Sequence, residues 1–405
     1  MQKRISKIIL VFLLLFDIVF ASEVKLNSKN YILYNMNDDI ILDEKDSHKE
    51  VNIASLTKIM TVIIAIENID NFKEKVTITS SVFDDISWDI HITGFKVGEK
   101  LTYDDLLYAA MLNSGADAVN ALALNTAKSY NDFIKKMNKK VKDLGLKNTE
   151  FDNVIGKDSA HNYSSAYDLA QILKYALQNK KFKKVFSAEK YTLSNGIKVK
   201  RSVAKYASSD ISYITGAKTG YYDDALYCLA TTATLNKVDY LFISLGAKTK
   251  GDHLNDHVKE YTYFDKNYGY KNIVSEDTNI VTLKTKYAKE KEVTIDAGVN
   301  IEKYLKNNFD KSKIEYKYSG LDEIVYNLKK GTKIGEVKIN YENKELDHFD
   351  LIYNGTLTFS LLTYLWVNKI FYIILVVLII VLIMLLSKKK NRKVRRLRKK
   401  IRKTM

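Results

Sequence analysis

Ser55 and Lys58 stand three residues apart, so a helix that begins here puts a hydroxyl and an amine on one face, within reach of each other. An amine that takes the serine proton turns a weak hydroxyl into a nucleophile, which is the chemistry of covalent acyl transfer. The spacing alone selects nothing, because Ser-x-x-Lys also begins at Ser22, Ser187, Ser202 and Ser387. The Ser55 copy differs in opening a long apolar stretch, where Ile59, Met60, Val62, Ile63 and Ile66 leave almost no polar face. Such surroundings lower the lysine pKa by desolvation. The helix N-terminus also offers backbone N–H groups to a developing oxyanion.

Two other clusters could serve the same chemistry. Lys218-Thr219-Gly220 follows a short β-like run and precedes Tyr221. It joins a cation, a hydroxyl donor and a close-approach glycine at a strand edge that could pair with an extended peptide. Asn113-Ser114-Gly115-Ala116-Asp117-Ala118 ends an apolar helix and supplies a second serine; taken singly it is a loop.

These residues need a scaffold, and the apolar periodicity suggests one. Ser55 to Asn68 reads as a buried helix, Tyr103 to Lys128 as further helices around a central loop, and Phe133 to Leu144 and Tyr167 to Asn179 as amphipathic helices. Tyr213 to Lys218, Tyr227 to Ala233 and Tyr240 to Ala247 read as strands, with Gly220 and Asn236-Lys237 as breaks. Beyond a boundary near residue 270, Val281 to Lys284, Glu292 to Ile295, Lys313 to Tyr318, Glu323 to Asn327 and Ile334 to Tyr341 suggest a small β-rich domain.

In this order the three clusters resemble the Ser-x-x-Lys, Ser-x-Asn and Lys-Thr-Gly set of penicillin-binding proteins and serine β-lactamases. Ala54-Ser55-Leu56-Thr57-Lys58-Ile59-Met60-Thr61, Ser164-Ser165-Ala166-Tyr167-Asp168-Leu169-Ala170 and Gly216-Ala217-Lys218-Thr219-Gly220-Tyr221 are similar to the low-molecular-mass D-alanyl-D-alanine carboxypeptidases. Lys330-Gly331-Thr332-Lys333-Ile334-Gly335 resembles the β-rich domain that follows in many members.

The resemblance implies an α+β fold, an antiparallel sheet flanked by helices, followed by that β-rich domain; to this the apolar run from Ile370 to Leu386 adds a C-terminal transmembrane helix where the family usually has an amphipathic tail. It also implies that Ser55 attacks the D-Ala-D-Ala carbonyl of a peptidoglycan stem peptide, that Lys58 deprotonates Ser55, and that Ser114 passes a proton to the leaving amine. Lys218 and Thr219 would hold the substrate's terminal carboxylate at an edge opened by Gly220. The N–H groups of Ser55 and Tyr221 would form the oxyanion hole. β-Lactam antibiotics would act as covalent inhibitors, and no metal or other cofactor is required. Three residues depart from the pattern: Ala116 stands where the second motif usually has asparagine, Tyr222 replaces threonine, and Leu226 replaces a common glycine. The rival readings are a catalytically weak wall-binding protein and a β-lactamase-like hydrolase. Against the latter, residues 156–170 contain no Glu to drive deacylation.

The two ends specify location. Lys3, Arg4 and Lys7 precede an apolar run from Ile8 to Phe20 and a small-residue cleavage pattern ending at Ala21, so residues 1–21 read as a signal peptide. Ile370 to Leu386 is uncharged and apolar, with Tyr364 and Trp366 as interfacial aromatics, so 365–386 reads as a transmembrane helix. Twelve Lys or Arg and no acid follow between 388 and 403, which places 387–405 in the cytoplasm and the catalytic domain (22–270) and β-rich domain (271–358) outside. That tail carries most of the net charge of +16, leaving an almost neutral ectodomain and no support for nucleic-acid binding.

The remaining candidates read as structural. His253 and His257 have zinc-pair spacing but no adjacent Glu, so they read as part of a solvated helix face. His161 reads as a loop residue, and Asp84, Asp85 and Asp89 around Trp88 as a solvated loop. The lone cysteine, Cys228, reads as strand packing.

Overall fold

The computed structural model describes residues 24–208 and 210–404, so the expected signal segment lies outside the described residues. Two compact units divide at Lys266 and Asn267.

The first unit is built on a five-stranded antiparallel sheet. Its strands are β1 (Asn30–Asn35), β2 (Ile40–Lys45), β3 (Ile214–Tyr222), β4 (Leu226–Leu235) and β5 (Val238–Ala247), in the order β2-β1-β5-β4-β3. The β4–β5 turn is Asn236-Lys237, both left-handed at φ 45° and 69°, the geometry of a tight hairpin whose twist matches its strands. β3 is an edge strand, and its register sets Lys218 opposite Ala230 and Ala217 opposite Thr231. Alternation therefore puts Lys218 and Thr231 on opposite faces of the sheet. Gly220, expected to break the strand, stays inside it, paired with Cys228. A Cβ at Gly220 would lie 3.1 Å from the Ser55 nitrogen, so this glycine permits close approach rather than a turn.

One face of the sheet meets a helical layer: α1 (Thr57–Ile66), α2 (Tyr103–Leu112), α3 (Ala116–Thr126), α4 (Tyr130–Asp143), α5 (Ala166–Gln178) and α6 (Lys180–Phe186). Every residue of α1 is buried, as its nearly all-apolar sequence requires. Ser55 is not in α1 itself but in the 3-10 turn Ala54–Leu56 that precedes it. On the other face lies α7 (Asp252–Asn267), and here the solvated-face expectation fails, because His253 and His257 are both fully buried. The His257 ring nitrogens sit 2.7 Å from Thr231 Oγ1 and 2.9 Å from Ser244 Oγ, so hydroxyls of the sheet satisfy them. His253 lies between the rings of Tyr206 and Tyr227. Leu254, Tyr261 and Phe264 share this buried side of α7, which is a core stripe with polar members.

The second unit carries β6 (Tyr268–Val274), β7 (Asn279–Lys286), β8 (Glu292–Asp296), β9 (Ile301–Lys306), β10 (Ile314–Gly320), β11 (Glu323–Val325), β12 (Thr332–Tyr341) and β13 (Lys344–Tyr353). They form the small sheets β6-β9, β8-β7-β11 and β10-β12-β13. Then come α8 (Leu361–Val367) and α9 (Ile370–Thr404), separated at Lys369, which is left-handed at φ 58°. α9 is long and apolar enough to cross a membrane.

A loop over residues 152–162 is hydrogen-bonded to α1. Thr61 Oγ1 donates to the Val154 carbonyl (2.8 Å), Lys58 Nζ to the Ile155 carbonyl (2.5 Å) and Asn162 Nδ2 to Thr57 Oγ1 (3.1 Å). Within this loop Gly156 is left-handed at φ 82°, and a Cβ there would fall 2.0 Å from the Ala54 carbonyl oxygen. Gly156→Ala is therefore expected to destabilise the protein by about 2 kcal/mol or more, combining a left-handed penalty with a backbone clash. Denaturant unfolding of the variant beside the parent measures this; an unchanged midpoint contradicts the packing described.

Candidate active site

The turn that presents Ser55 is strained: Ala54 is left-handed at φ 47°, a conformation held by the Gly156 contact on one side and the Gly220 edge on the other. Ser55 Oγ accepts from Lys58 Nζ at 2.9 Å. Lys58 is 2% exposed and also donates to the Ile155 carbonyl, so it is bonded to a hydroxyl and a carbonyl, neither charged. Burial lowers this amine to about 7, against a smaller upward pull from the Asp117 carboxylate. An amine with that pKa is substantially neutral at physiological pH and can accept a proton.

A second lysine–serine pair has the same form. Lys218 is 0% exposed, and its Nζ donates to Ser114 Oγ at 2.9 Å and to the Thr219 carbonyl at 2.7 Å. Burial, and then repulsion from Lys58, hold its pKa well below the usual lysine value. The mutual repulsion disfavours charging both amines at once, and a negative group arriving beside them relieves it.

Ser114 joins α2 to α3 in a left-handed conformation at φ 60°. The loop over residues 91–95 fixes that junction. Ala116 N–H donates to the His91 carbonyl (3.0 Å), and the buried Asp117 carboxylate accepts N–H bonds from Thr93 (2.8 Å), Gly94 (2.9 Å) and Phe95 (3.2 Å). The Ala116 methyl is fully buried. The nearby Asn120 donates its Nδ2 to the Val82 carbonyl at 3.0 Å.

On β3, Thr219 Oγ1 lies 2.6 Å from Ser202 Oγ, and Tyr221 is 49% exposed with its ring against Tyr227. The other two departures acquire visible consequences. Tyr222 donates its hydroxyl to Asp89 at 3.2 Å, tying the end of β3 to the acidic loop. Leu226 occupies a left-handed position at φ 57°, a strain that a glycine would not feel. The sequence-derived residues thus gather as two hydrogen-bonded pairs, Ser55–Lys58 and Ser114–Lys218, beside the Thr219–Tyr221 edge. His161 lies outside them, mostly exposed and 3.5 Å from Glu150. Cys228 is fully buried in β4, with burial raising its thiol to about 12. Sequence reasoning took Ser202 for a chance Ser-x-x-Lys and did not connect Asp89 with Tyr222; both contacts join residues remote in the chain, so local spacing carried no signal of them.

Comparison with known proteins is consistent with this geometry. Residues 18–249 match a family described as D-alanyl-D-alanine carboxypeptidase, and residues 268–358 match the C-terminal domain of penicillin-binding protein 5. The D-alanyl-D-alanine carboxypeptidase DacF of Bacillus subtilis is 27% identical over 340 residues, covering 80% of this chain and 85% of that protein. The crystal structure of penicillin-binding protein 5 from Haemophilus influenzae superposes with a TM-score of 0.61 at 23% identity, over 84% of this chain and 99% of that one, a likeness of fold. The Streptomyces K15 DD-transpeptidase superposes with a TM-score of 0.55 at 28% identity, over 60% of this chain and 98% of that one.

The lowered pKa of Lys58 carries a definite sign. Below about 7 the amine is mostly protonated and cannot act as a base; above it the amine is neutral. The rate at which Ser55 is acylated by a β-lactam is expected to climb several-fold between about pH 6 and pH 8 and then level off. Stopped-flow labelling across that range measures it, and a rate that is flat or falling with pH contradicts the assignment of Lys58.

Proposed function

This chain belongs to the D-alanyl-D-alanine carboxypeptidase family, and we propose from that premise that it removes the terminal D-alanine of peptidoglycan pentapeptides through an acyl-enzyme on Ser55. The observation that supports the reading most is the Ser55 Oγ to Lys58 Nζ hydrogen bond of 2.9 Å, made to an amine that burial brings to about 7.

Neutral Lys58 takes the Ser55 proton as Ser55 Oγ attacks the carbonyl of the penultimate D-alanine. The N–H groups of Ser55 and Tyr221 receive the negative charge of the tetrahedral intermediate. Ser114, bonded to Lys218, gives its proton to the leaving nitrogen and takes in exchange the one Lys58 holds, which leaves Lys58 neutral again, and D-alanine departs with its carboxylate released from Lys218 and Thr219. Water then attacks the ester, Lys58 again serving as base, and Ser55 recovers its proton. Gly220 leaves the β3 edge open for the peptide backbone. The missing amide at Ala116 removes one hydrogen bond to the substrate, about 1 kcal/mol or more, which favours slower acylation than an asparagine-bearing site would give.

For location, the reading is of export by residues 1–21, anchorage by α9 and a cytoplasmic basic end. The apolar helix Ile370–Lys399 supports the anchor, and the concentration of Lys and Arg after Leu386 supports the orientation.

Two experiments test these proposals. Fluorescent penicillin is expected to label the protein covalently and D-alanine to be released from a pentapeptide, with Ser55→Ala reducing both by at least about a thousandfold. Equal labelling of Ser55→Ala, or release that persists in it, removes the mechanism. Truncation before Leu361 is expected to move the protein from the membrane fraction to the soluble one with labelling retained; membrane retention of the truncated chain contradicts the anchor.

A further inference from the structure

Ser202 is one of the Ser-x-x-Lys serines that spacing could not distinguish, yet its partner Lys205 is solvent-exposed while its own hydroxyl reaches Thr219 Oγ1 at 2.6 Å. The 3-10 turn Ser202–Tyr206 that carries it is not loosely placed. Arg201, almost fully buried, donates to four backbone carbonyls: Ala188 (3.3 Å), Ile214 (2.7 Å), Ser187 (2.7 Å) and Thr215 (3.4 Å). Two of these belong to the start of β3, so the guanidinium fixes the turn against the strand that carries Thr219.

We propose that Ser202 is a positioning residue that sets the direction of the Thr219 hydroxyl and thereby the grip on the carboxylate of the substrate; this rests on the reading that Thr219 contacts that carboxylate. The argument is one of hydrogen counting. Two hydroxyls 2.6 Å apart share one hydrogen bond, and either can donate. If Thr219 donates to Ser202, it turns a lone pair toward the cleft, which repels an anion. If Ser202 donates, the Thr219 hydrogen is free to point at the carboxylate, and the two bonds run in one direction and reinforce each other. A bound carboxylate selects the second arrangement, and Ser202 makes that arrangement available without leaving the Thr219 oxygen unsatisfied.

Saturation kinetics of labelling by a fluorescent penicillin, which bears a carboxylate, separate affinity from the limiting acylation rate. Ser202→Ala is expected to raise the half-saturating concentration about fivefold, the worth of one hydrogen bond, with a smaller change in limiting rate. Ser202→Thr, which keeps a hydroxyl, is expected to restore affinity. Ser202→Ala is expected to add little in a Thr219→Ala background. Unfolding midpoints of the variants accompany the kinetics. Unchanged affinity in Ser202→Ala where Thr219→Ala weakens it overturns the proposal alone, as does an effect of equal size in both backgrounds. A lowered midpoint in Ser202→Ala with no rescue by Ser202→Thr overturns it in favour of a structural role. Unchanged affinity in Thr219→Ala overturns the underlying reading of Thr219 and the proposal with it.

Discussion

Burying an amine without a carboxylate partner is costly, and the described site does so twice. Lys58 and Lys218 are both closed off from solvent, and each is bonded to a serine hydroxyl and a backbone carbonyl instead of an acid. The cheapest response is to lose the proton, which turns a common surface cation into a base. Asp117 is near enough to pull on Lys58, but its oxygens are occupied by the N–H groups of Thr93, Gly94 and Phe95, so it moderates the shift rather than cancelling it.

Keeping water from those amines requires backbone to come unusually close. The Ala54–Leu56 turn is pressed between the loop bearing Gly156 and the sheet edge at Gly220; a side chain would collide with the turn at the first contact and crowd it at the second. Ala54 takes a left-handed conformation there, a local cost carried by the large core into which α1 is wholly sunk. The second serine is fixed by equivalent means, a left-handed junction between two helices held by a buried carboxylate. The nucleophile, its base and the strand edge thus belong to different segments of chain brought into register by packing, which is why the reactive geometry is a property of the whole first unit.

Much of this could be read from residue order because the relevant signals were local. The apolar run after Ser55 gave both a buried helix and a desolvated lysine, and alternation between Tyr213 and Ala247 gave the strands that carry Lys218. The apolar stretch from Ile370 gave the long terminal helix. The reading failed where meaning depended on distant partners. Gly220 has the composition of a break, but its role is fixed by Ser55, far away in sequence. His253 and His257 look like polar surface until Thr231, Ser244, Tyr206 and Tyr227 are seen to enclose them. β1 and β2 were missed, since Asn30–Asn35 carries polar residues at both ends that are nonetheless buried in the sheet. The Ser202–Thr219 contact had no local signature either, because two short polar side chains 17 residues apart declare nothing until a turn is clamped onto a strand.

The central claim is that Lys58 loses its proton near neutral pH because it is buried. Carbon-13 labelling of lysine side chains, with the Cε resonance of Lys58 assigned by comparison with Lys58→Arg, follows that proton directly by NMR. The account predicts a resonance that titrates near pH 7 and is absent from the variant. A Lys58 resonance that stays in its protonated position until about pH 10, as an exposed lysine does, contradicts it.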